Sequence, residues 1–145
     1  MKKYLKDILF IIVAVFILSN VISYFKKPDI DDIDTSLISK YQNNSKPLLV
    51  YFWAPWCSVC KLQKPNIKTI SKYFDVLSIA VSETKPKDIG LKTLHDKDSS
   101  IAKAFKVSGF PTIFIFDSNK KIRFIDIGYT STISLAFKMW WVKSF

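Results

Sequence analysis

The longest apolar run in the chain lies near its N-terminus, where residues 8–25 contain no charged side chain. An α-helix of this length extends over roughly 27 Å, close to the ~30 Å hydrocarbon thickness of a membrane. Tyr24 and Phe25 lie where interfacial aromatic residues are common, and Lys26 and Lys27 end the run. The pattern therefore predicts a transmembrane signal-anchor over residues 8–25.

Two other interpretations of this apolar segment stay open: a buried core helix and a signal peptide that is cleaved. A cleavage site needs small residues, and Val21-x-Ser23 matches that requirement weakly. More lysines precede the segment than follow it, so the positive-inside rule predicts residues 1–7 in the cytoplasm. The rest of the chain is then expected on the periplasmic, extracytoplasmic side of an inner membrane, where disulfides persist.

Beyond a polar segment that we predict to be a linker (residues 26–45), apolar runs of strand type alternate with runs of helical spacing. Strands are predicted over residues 47–54, 76–81, 112–116 and 122–127. Helices are predicted over residues 57–74 and 98–105, from Thr130 or Ser131 onward, and over a short stretch inside the linker. This order is typical of an α/β fold with a mixed central sheet, and we expect one domain over residues 46–145.

Composition excludes several classes of protein. Apolar residues make up 49% of the chain, too many for a disordered protein, and two cysteines cannot form a disulfide-dense mini-protein. One histidine, His95, leaves too few ligands for a structural zinc site, so no metal site is expected. The net charge of +10 would suit nucleic acid, but no recognition motif accompanies it. We therefore expect no nucleic-acid partner and interpret the lysines as a solvated face that favours anionic lipid or acidic proteins.

The two cysteines, Cys57 and Cys60, lie where a predicted strand ends and a helix begins. Free backbone N–H groups and the helix dipole at that position lower the pKa of a thiol, so Cys57 is the predicted nucleophile. Cys60 follows one helical turn later and is the predicted resolving thiol, which attacks the mixed disulfide. Half of a metal site and a static disulfide are the alternatives, although a loop this short stabilises little. The motif favours thiol–disulfide exchange with no cofactor besides the cysteine pair.

Residues 52–61, with the sequence FWAPWCSVCK, resemble the active-site segment of thioredoxin-fold proteins. Pro65 matches the proline that kinks the following helix in that family, and residues 109–112 (GFPT) match the loop that carries its cis-proline. The resemblance implies a thioredoxin-like fold in which Pro111 faces the disulfide and offers backbone to a substrate strand. It also implies supporting, substrate-binding roles for three neighbouring residues: Trp56, Phe110 and Thr112.

Together with the predicted anchor, the tryptophan-flanked cysteine pair is similar to membrane-tethered periplasmic disulfide oxidoreductases of the TlpA-like and suppressor-of-copper-sensitivity D types. This similarity implies an enzyme that acts on disulfides of extracytoplasmic proteins, more as a reductant than as an oxidant. It also implies a membrane protein that donates electrons to the cysteine pair. The alternative function is copper or soft-metal binding, or copper tolerance, because two thiolates can hold Cu(I).

Several positions depart from the patterns of these families. Thioredoxins carry a buried aspartate that aids proton transfer from the resolving thiol, where this chain has Tyr51. Cytochrome-c-maturation members carry a glutamate three residues after the second cysteine, where Gln63 cannot titrate. Glu83 is a candidate replacement acid, although a solvated loop is the position expected for it. Another group or water is therefore expected to accept the proton of the resolving thiol.

Overall fold

The computed structural model describes residues 2–25, 36–42 and 46–144. Its helices are α1 (Lys2–Phe25), α2 (Ser36–Ser39), α3 (Ser58–Ile70), α4 (Ser100–Ala104) and α5 (Thr132–Ser144). Its strands are β1 (Leu48–Trp53), β2 (Asp75–Val81), β3 (Thr93–Asp96), β4 (Thr112–Phe116) and β5 (Ile122–Ile127). Of the predicted linker, residues 26–35 and 43–45 lie outside the described part of the chain.

The strands form one five-stranded sheet in the order β3-β2-β1-β4-β5. Strand β2 runs parallel to β1 and β3, whereas β4 is antiparallel to β1 and β5. Strand β1 is central and all of its residues are buried, which explains its continuous apolar sequence, LLVYFW. The prediction of an α/β fold with a mixed central sheet is confirmed.

Successive side chains of β1 point to opposite faces of the sheet, so each face has its own core. Tyr51 and Trp53 pack with α3 and α5 on the face that we call the site face, because both cysteines belong to this cluster. Val50 and Phe52 pack with α2 and α4 on the opposite face, which we call the aromatic face. Three further phenylalanines complete the aromatic face: Phe105, Phe114 and Phe116.

Three features differ from the sequence prediction. Strand β3 was not expected, because it is a short edge strand with mostly half-buried or exposed side chains and no continuous apolar run. Helix α3 ends at Ile70, because a tighter turn follows in which the Tyr73 N–H donates to the Ile70 carbonyl at 3.0 Å. In the segment predicted as linker, Ile38 on α2 is 1% exposed and belongs to the aromatic face. Residues 36–42 therefore pack against the domain.

Helix α1 lies against α5. The ring of Phe16 is 6.5 Å from the ring of Phe137, centroid to centroid, and the Ser134 hydroxyl donates a hydrogen bond to Asn20 Oδ1 at 3.2 Å. Most of the described apolar side chains of α1 are exposed, including Phe10 at 74%. Within the described residues, no helix combines the length and the apolar character that crossing a membrane requires. The anchor over residues 8–25 stays a prediction.

Candidate active site

The two cysteines form a disulfide at the point where the chain leaves β1 and enters α3, with their Cα atoms 5.2 Å apart. Cys57 is the N-cap residue of α3, with an extended backbone, and its sulfur accepts a hydrogen bond from the Cys60 N–H at 3.1 Å. Cys57 is 6% exposed and Cys60 1%. An incoming sulfur therefore meets Cys57 first, beside the free N–H groups of the helix N-terminus.

The second predicted segment of the site is the loop before β4, in which the Phe110–Pro111 peptide bond is cis. The Pro111 carbonyl accepts a hydrogen bond from the Gly128 N–H at 2.8 Å, and the Thr112 hydroxyl donates to the Gly109 carbonyl at 2.6 Å. Thr112 is almost fully buried, so its side chain shapes this loop from within. These two hydrogen bonds, one from the segment after β5 and one within the loop itself, hold the loop in place in the absence of substrate.

An aromatic contact joins the cysteine segment to the proline loop. The rings of Trp56 and Phe110 meet edge to face, with their centroids 5.7 Å apart. Since Trp56 precedes Cys57 and Phe110 precedes Pro111 in the chain, this contact places the two predicted segments side by side. Four of the residues predicted for the site are thus brought together by the fold.

A groove of about 650 Å³ opens beside this aromatic contact. Its walls include Trp56 and Phe110, the end of β2 at Val81, and Lys103 from α4. Trp56 is 72% exposed, whereas tryptophan side chains are on average highly buried. Glu83 lies exposed on the same groove, in the solvated loop expected for it. The groove thus combines apolar walls with charged side chains, next to the residue that precedes Cys57.

Tyr51 occupies the position below the cysteines where thioredoxins have an aspartate. Its side chain is fully buried, and its hydroxyl donates a hydrogen bond to the Cys60 carbonyl at 3.0 Å. Burial raises the pKa of Tyr51 well above its ordinary value of 10.0, because the phenolate would lose its hydration. The group is therefore a neutral donor at physiological pH and cannot accept the proton of the Cys60 thiol.

The buried carboxylates of the described residues serve other parts of the fold. Asp96 accepts hydrogen bonds from the N–H groups of Ile101 and Ala102 at the start of α4. Asp117 accepts from main-chain N–H groups of the loop between β4 and β5, and it pairs with Arg123 at 2.7 Å. Asp126, whose side chain is 10% exposed, pairs with Lys138 at 2.6 Å. With these carboxylates engaged in other contacts, water is the acceptor that we consider for the proton of Cys60.

Gln63 is fully buried one turn after Cys60, on the inner side of α3. Its amide nitrogen donates to the Thr130 carbonyl at 2.9 Å, and its amide oxygen accepts from the Thr130 N–H at 2.8 Å. Asn66 also donates to the Thr130 carbonyl, at 3.0 Å. From the sequence alone, Gln63 is notable only because its side chain cannot titrate. Two amide side chains on the apolar side of a helix were the available signal for this contact.

The alternative of copper or soft-metal binding would use the same two thiolates as the exchange reaction. In the part of the chain that is described, no group of three or more His, Cys, Asp or Glu side chains is placed to hold a metal ion. His95 Nε2 lies 2.7 Å from the Ser82 carbonyl, in a contact between loop and strand.

Comparisons with known proteins agree with this geometry. The family profile named Thioredoxin matches residues 33–133. A thioredoxin-like protein of Haemophilus influenzae is 23% identical over an alignment that covers 99% of this chain and 98% of that protein.

Two solved structures share the fold. One is a putative thiol:disulfide interchange protein DsbE from Chlorobium tepidum, with a TM-score of 0.58 and 21% identity, covering 70% of this chain and 79% of that chain. The other is the pneumococcal exposed lipoprotein thioredoxin from Streptococcus pneumoniae. Its TM-score is 0.62 and its identity 21%, and the match covers 74% of this chain and 90% of that chain. With the family match over most of the chain and a disulfide at the start of α3, the chain belongs to the thioredoxin family and is a thiol–disulfide oxidoreductase with a Cys57–Cys60 redox pair.

Proposed function

We propose that this protein is a membrane-tethered enzyme that reduces disulfides of extracytoplasmic proteins, with Cys57 as nucleophile and Cys60 as resolving thiol. The observation that carries the proposal is the pairing of these cysteines across the first turn of α3, with the more accessible sulfur at the N-cap. The exposed Trp56 and the groove beside it support a polypeptide as substrate.

The reaction begins with the reduced pair. The Cys57 thiolate attacks one sulfur of a substrate disulfide, the substrate S–S bond breaks, and a substrate thiolate leaves. The Cys60 thiolate then attacks the Cys57 sulfur, forms the Cys57–Cys60 disulfide and releases the second substrate thiolate. Two electrons pass from the enzyme to the substrate, and two protons complete the substrate thiols. Water takes the proton of Cys60, because Tyr51 is held as a neutral donor.

A reducing direction requires that the pair be returned to the dithiol form after each turnover. A membrane protein that donates electrons supplies this step in the proposal, and a common tether to the membrane raises the local concentration of the two proteins.

Apolar surfaces at the N-terminal helix and at α5 support attachment to a membrane. Helix α1 exposes apolar side chains along its described length. Helix α5 exposes Phe137, which contacts α1, and also Trp140 and Trp141, a residue type common at membrane interfaces. The lysine excess would favour an anionic lipid surface. The similar pneumococcal protein is named an exposed lipoprotein, which fits an extracytoplasmic position.

Substitution of the cysteines tests the exchange reaction. Cys57→Ser is expected to abolish reduction of insulin disulfides by the full chain, because the attacking thiolate is lost. Cys60→Ser is the matched control, since it makes the same change one turn away and leaves the nucleophile in place. This variant is expected to accumulate a mixed disulfide with its substrate, visible by non-reducing electrophoresis. Retained turnover in Cys57→Ser would contradict the proposal.

The state of the cysteines in cells tests direction and location together. Cells are quenched with acid, separated into soluble and membrane fractions, and alkylated with a thiol reagent that adds mass. We expect the protein in the membrane fraction with both cysteines mostly reduced, because a donor keeps them supplied with electrons. A mostly oxidised pair would assign the protein to disulfide donation, and a soluble protein would contradict the tether.

A further inference from the structure

We propose that Gln63 is a positioning residue that links the cysteine helix to the proline loop, and that its uncharged amide keeps this link independent of pH. The inference rests on the proposed function, because the two segments it connects are the ones assigned to catalysis and to substrate contact. Gln63 itself touches neither substrate nor sulfur in this role.

The two hydrogen bonds of Gln63 go to one residue in the loop between β5 and α5. The amide nitrogen donates to the Thr130 carbonyl, and the amide oxygen accepts from the Thr130 N–H. A primary amide offers both a donor and an acceptor, so only one orientation of the Gln63 side chain satisfies this backbone. Because the Gln63 side chain is fully buried, loss of either bond costs the desolvation of one of its polar atoms.

The loop that Gln63 holds is itself bonded to the proline segment. Thr130 lies two residues beyond Gly128, and the Gly128 N–H donates to the Pro111 carbonyl at 2.8 Å. Pro111 follows Phe110, whose ring contacts Trp56 next to the nucleophile. The connections therefore run from the cysteine helix through Gln63 to the proline loop, and return to the cysteines through the aromatic contact.

Asn66 strengthens this link but cannot replace Gln63. Its amide nitrogen donates to the Thr130 carbonyl at 3.0 Å, while its amide oxygen accepts from the Thr132 hydroxyl at 2.9 Å. The Thr130 N–H, by contrast, has Gln63 as its acceptor among the hydrogen bonds of the described residues. Loss of the Gln63 oxygen would remove this acceptor from the half-buried Thr130 N–H.

The titratable groups on the packed elements either have other partners or are exposed to solvent. On α3, the Lys64 ammonium lies 5.0 Å from the centre of the Trp53 ring, and Lys61 and Lys68 are exposed. Between β5 and α5, Asp126 pairs with Lys138 at 2.6 Å. In the loop, the Tyr129 side chain is exposed. The described hydrogen bonds of Gln63 involve no charged group, so nothing in the link changes charge near neutral pH.

Gln63→Glu tests this directly, because the new carboxyl can keep both hydrogen bonds only while it is protonated. Its ionised form has no hydrogen to donate to the Thr130 carbonyl, and burial disfavours the charge and raises the carboxyl pKa. The link should thus be intact at low pH and lost as pH rises through that pKa. Relative to the unsubstituted chain, we expect comparable insulin reduction near pH 5 and a loss of about tenfold near pH 8.

Two further variants separate positioning from general stability. Gln63→Ala removes both bonds at every pH, so its loss of activity should not depend on pH. Gln42→Glu makes the same chemical change at another buried glutamine, which donates to the Lys46 and Asp117 carbonyls away from the site. This control is expected to leave the pH dependence of insulin reduction unchanged, whatever it does to stability.

A structural readout keeps the inference separate from the proposed function. Hydrogen-exchange protection of the Thr130 and Gly128 amides is measured on the full chain over the same pH range. In Gln63→Glu we expect protection to fall with increasing pH, and in Gln42→Glu we expect no such change. Protection and activity that follow the unsubstituted chain at all pH values would overturn the inference. A pH-dependent loss of protection in a chain without reductase activity would support the link and refute the proposed function.

Discussion

The site face and the aromatic face lie on opposite sides of the same sheet, but their buried polar contacts differ. On the site face, buried polar atoms are satisfied beside the cysteines: the Tyr51 hydroxyl bonds the Cys60 carbonyl, and the Trp53 indole N–H donates to Ser78 at 2.8 Å. On the aromatic face, the Phe105 ring packs 5.2 Å from that of Phe52, and further phenylalanines surround it. Both cores consist of buried apolar side chains, and the site face adds these directed hydrogen bonds beside the cysteines.

This difference separates the placement of particular atoms at the cysteines from the overall stability of the fold. Hydrogen bonds have a preferred direction and distance, so they hold particular atoms in place but add modest net stability. Burial of apolar surface has no direction and contributes most of the favourable free energy of folding. We therefore expect removal of a ring on the aromatic face to lower the free energy of unfolding strongly. We expect removal of a hydrogen bond beside the cysteines to cost less stability and to act on the chemistry of the cysteine pair.

Phe114→Ala is the substitution expected to have the largest effect on stability. Phe114 is 2% exposed, and its ring contacts those of Phe52 and Phe105 at centroid distances of 5.6 and 5.4 Å. Removal of the ring leaves a cavity in the aromatic face and should lower the free energy of unfolding by about 3–5 kcal/mol. Urea denaturation of the full chain measures this loss, and the reduction potential of the folded variant should stay that of the unsubstituted chain.

The control for this experiment is Leu62→Ala, which removes an apolar side chain that is 67% exposed on α3. It should change stability by no more than about 0.5 kcal/mol, because little buried surface is lost. A shift in the reduction potential of Phe114→Ala, measured where the variant is fully folded, would mean that the two faces are coupled through the sheet and that the separation is wrong.

Strands whose residues are buried in a continuous run were predictable from the sequence. The predicted bounds of β4 and β5 coincide with the observed ones, because apolar side chains fill each strand and the loop around Asp117 is polar. Strand β3 was not predicted, because this edge strand of four residues contains no continuous run of buried apolar side chains. Local patterns indicate where the core lies, whereas an edge strand is defined by its pairing with β2.

The candidate site was predictable only in part, for a related reason. Cys57 and Cys60 form a local motif, so their spacing predicts a redox pair. The change from strand to helical pattern around them predicts its position at a helix start. The partners of Gln63 and Tyr51 depend on the tertiary fold: Thr130 follows Gln63 by 67 residues along the chain. A sequence shows that a buried amide or hydroxyl needs a partner, but the fold decides which backbone group supplies it.

Tyr51→Phe has a smaller expected effect on stability than Phe114→Ala, and it tests the site face alone. It removes the hydroxyl that donates to the Cys60 carbonyl, which should cost about 0.5–1.5 kcal/mol near pH 7. The raised pKa of Tyr51, caused by burial, means that the folded chain binds this proton more tightly than the unfolded chain does. The contribution is therefore complete below the ordinary pKa of 10.0 and falls by about 1.4 kcal/mol per pH unit above it. Urea denaturation across this range should show the advantage of the unsubstituted chain over Tyr51→Phe shrinking at alkaline pH. If the stabilities of the two chains instead change in parallel above pH 10.0, the pKa of Tyr51 is not raised in the folded chain, and the assignment of Tyr51 as a neutral donor is wrong.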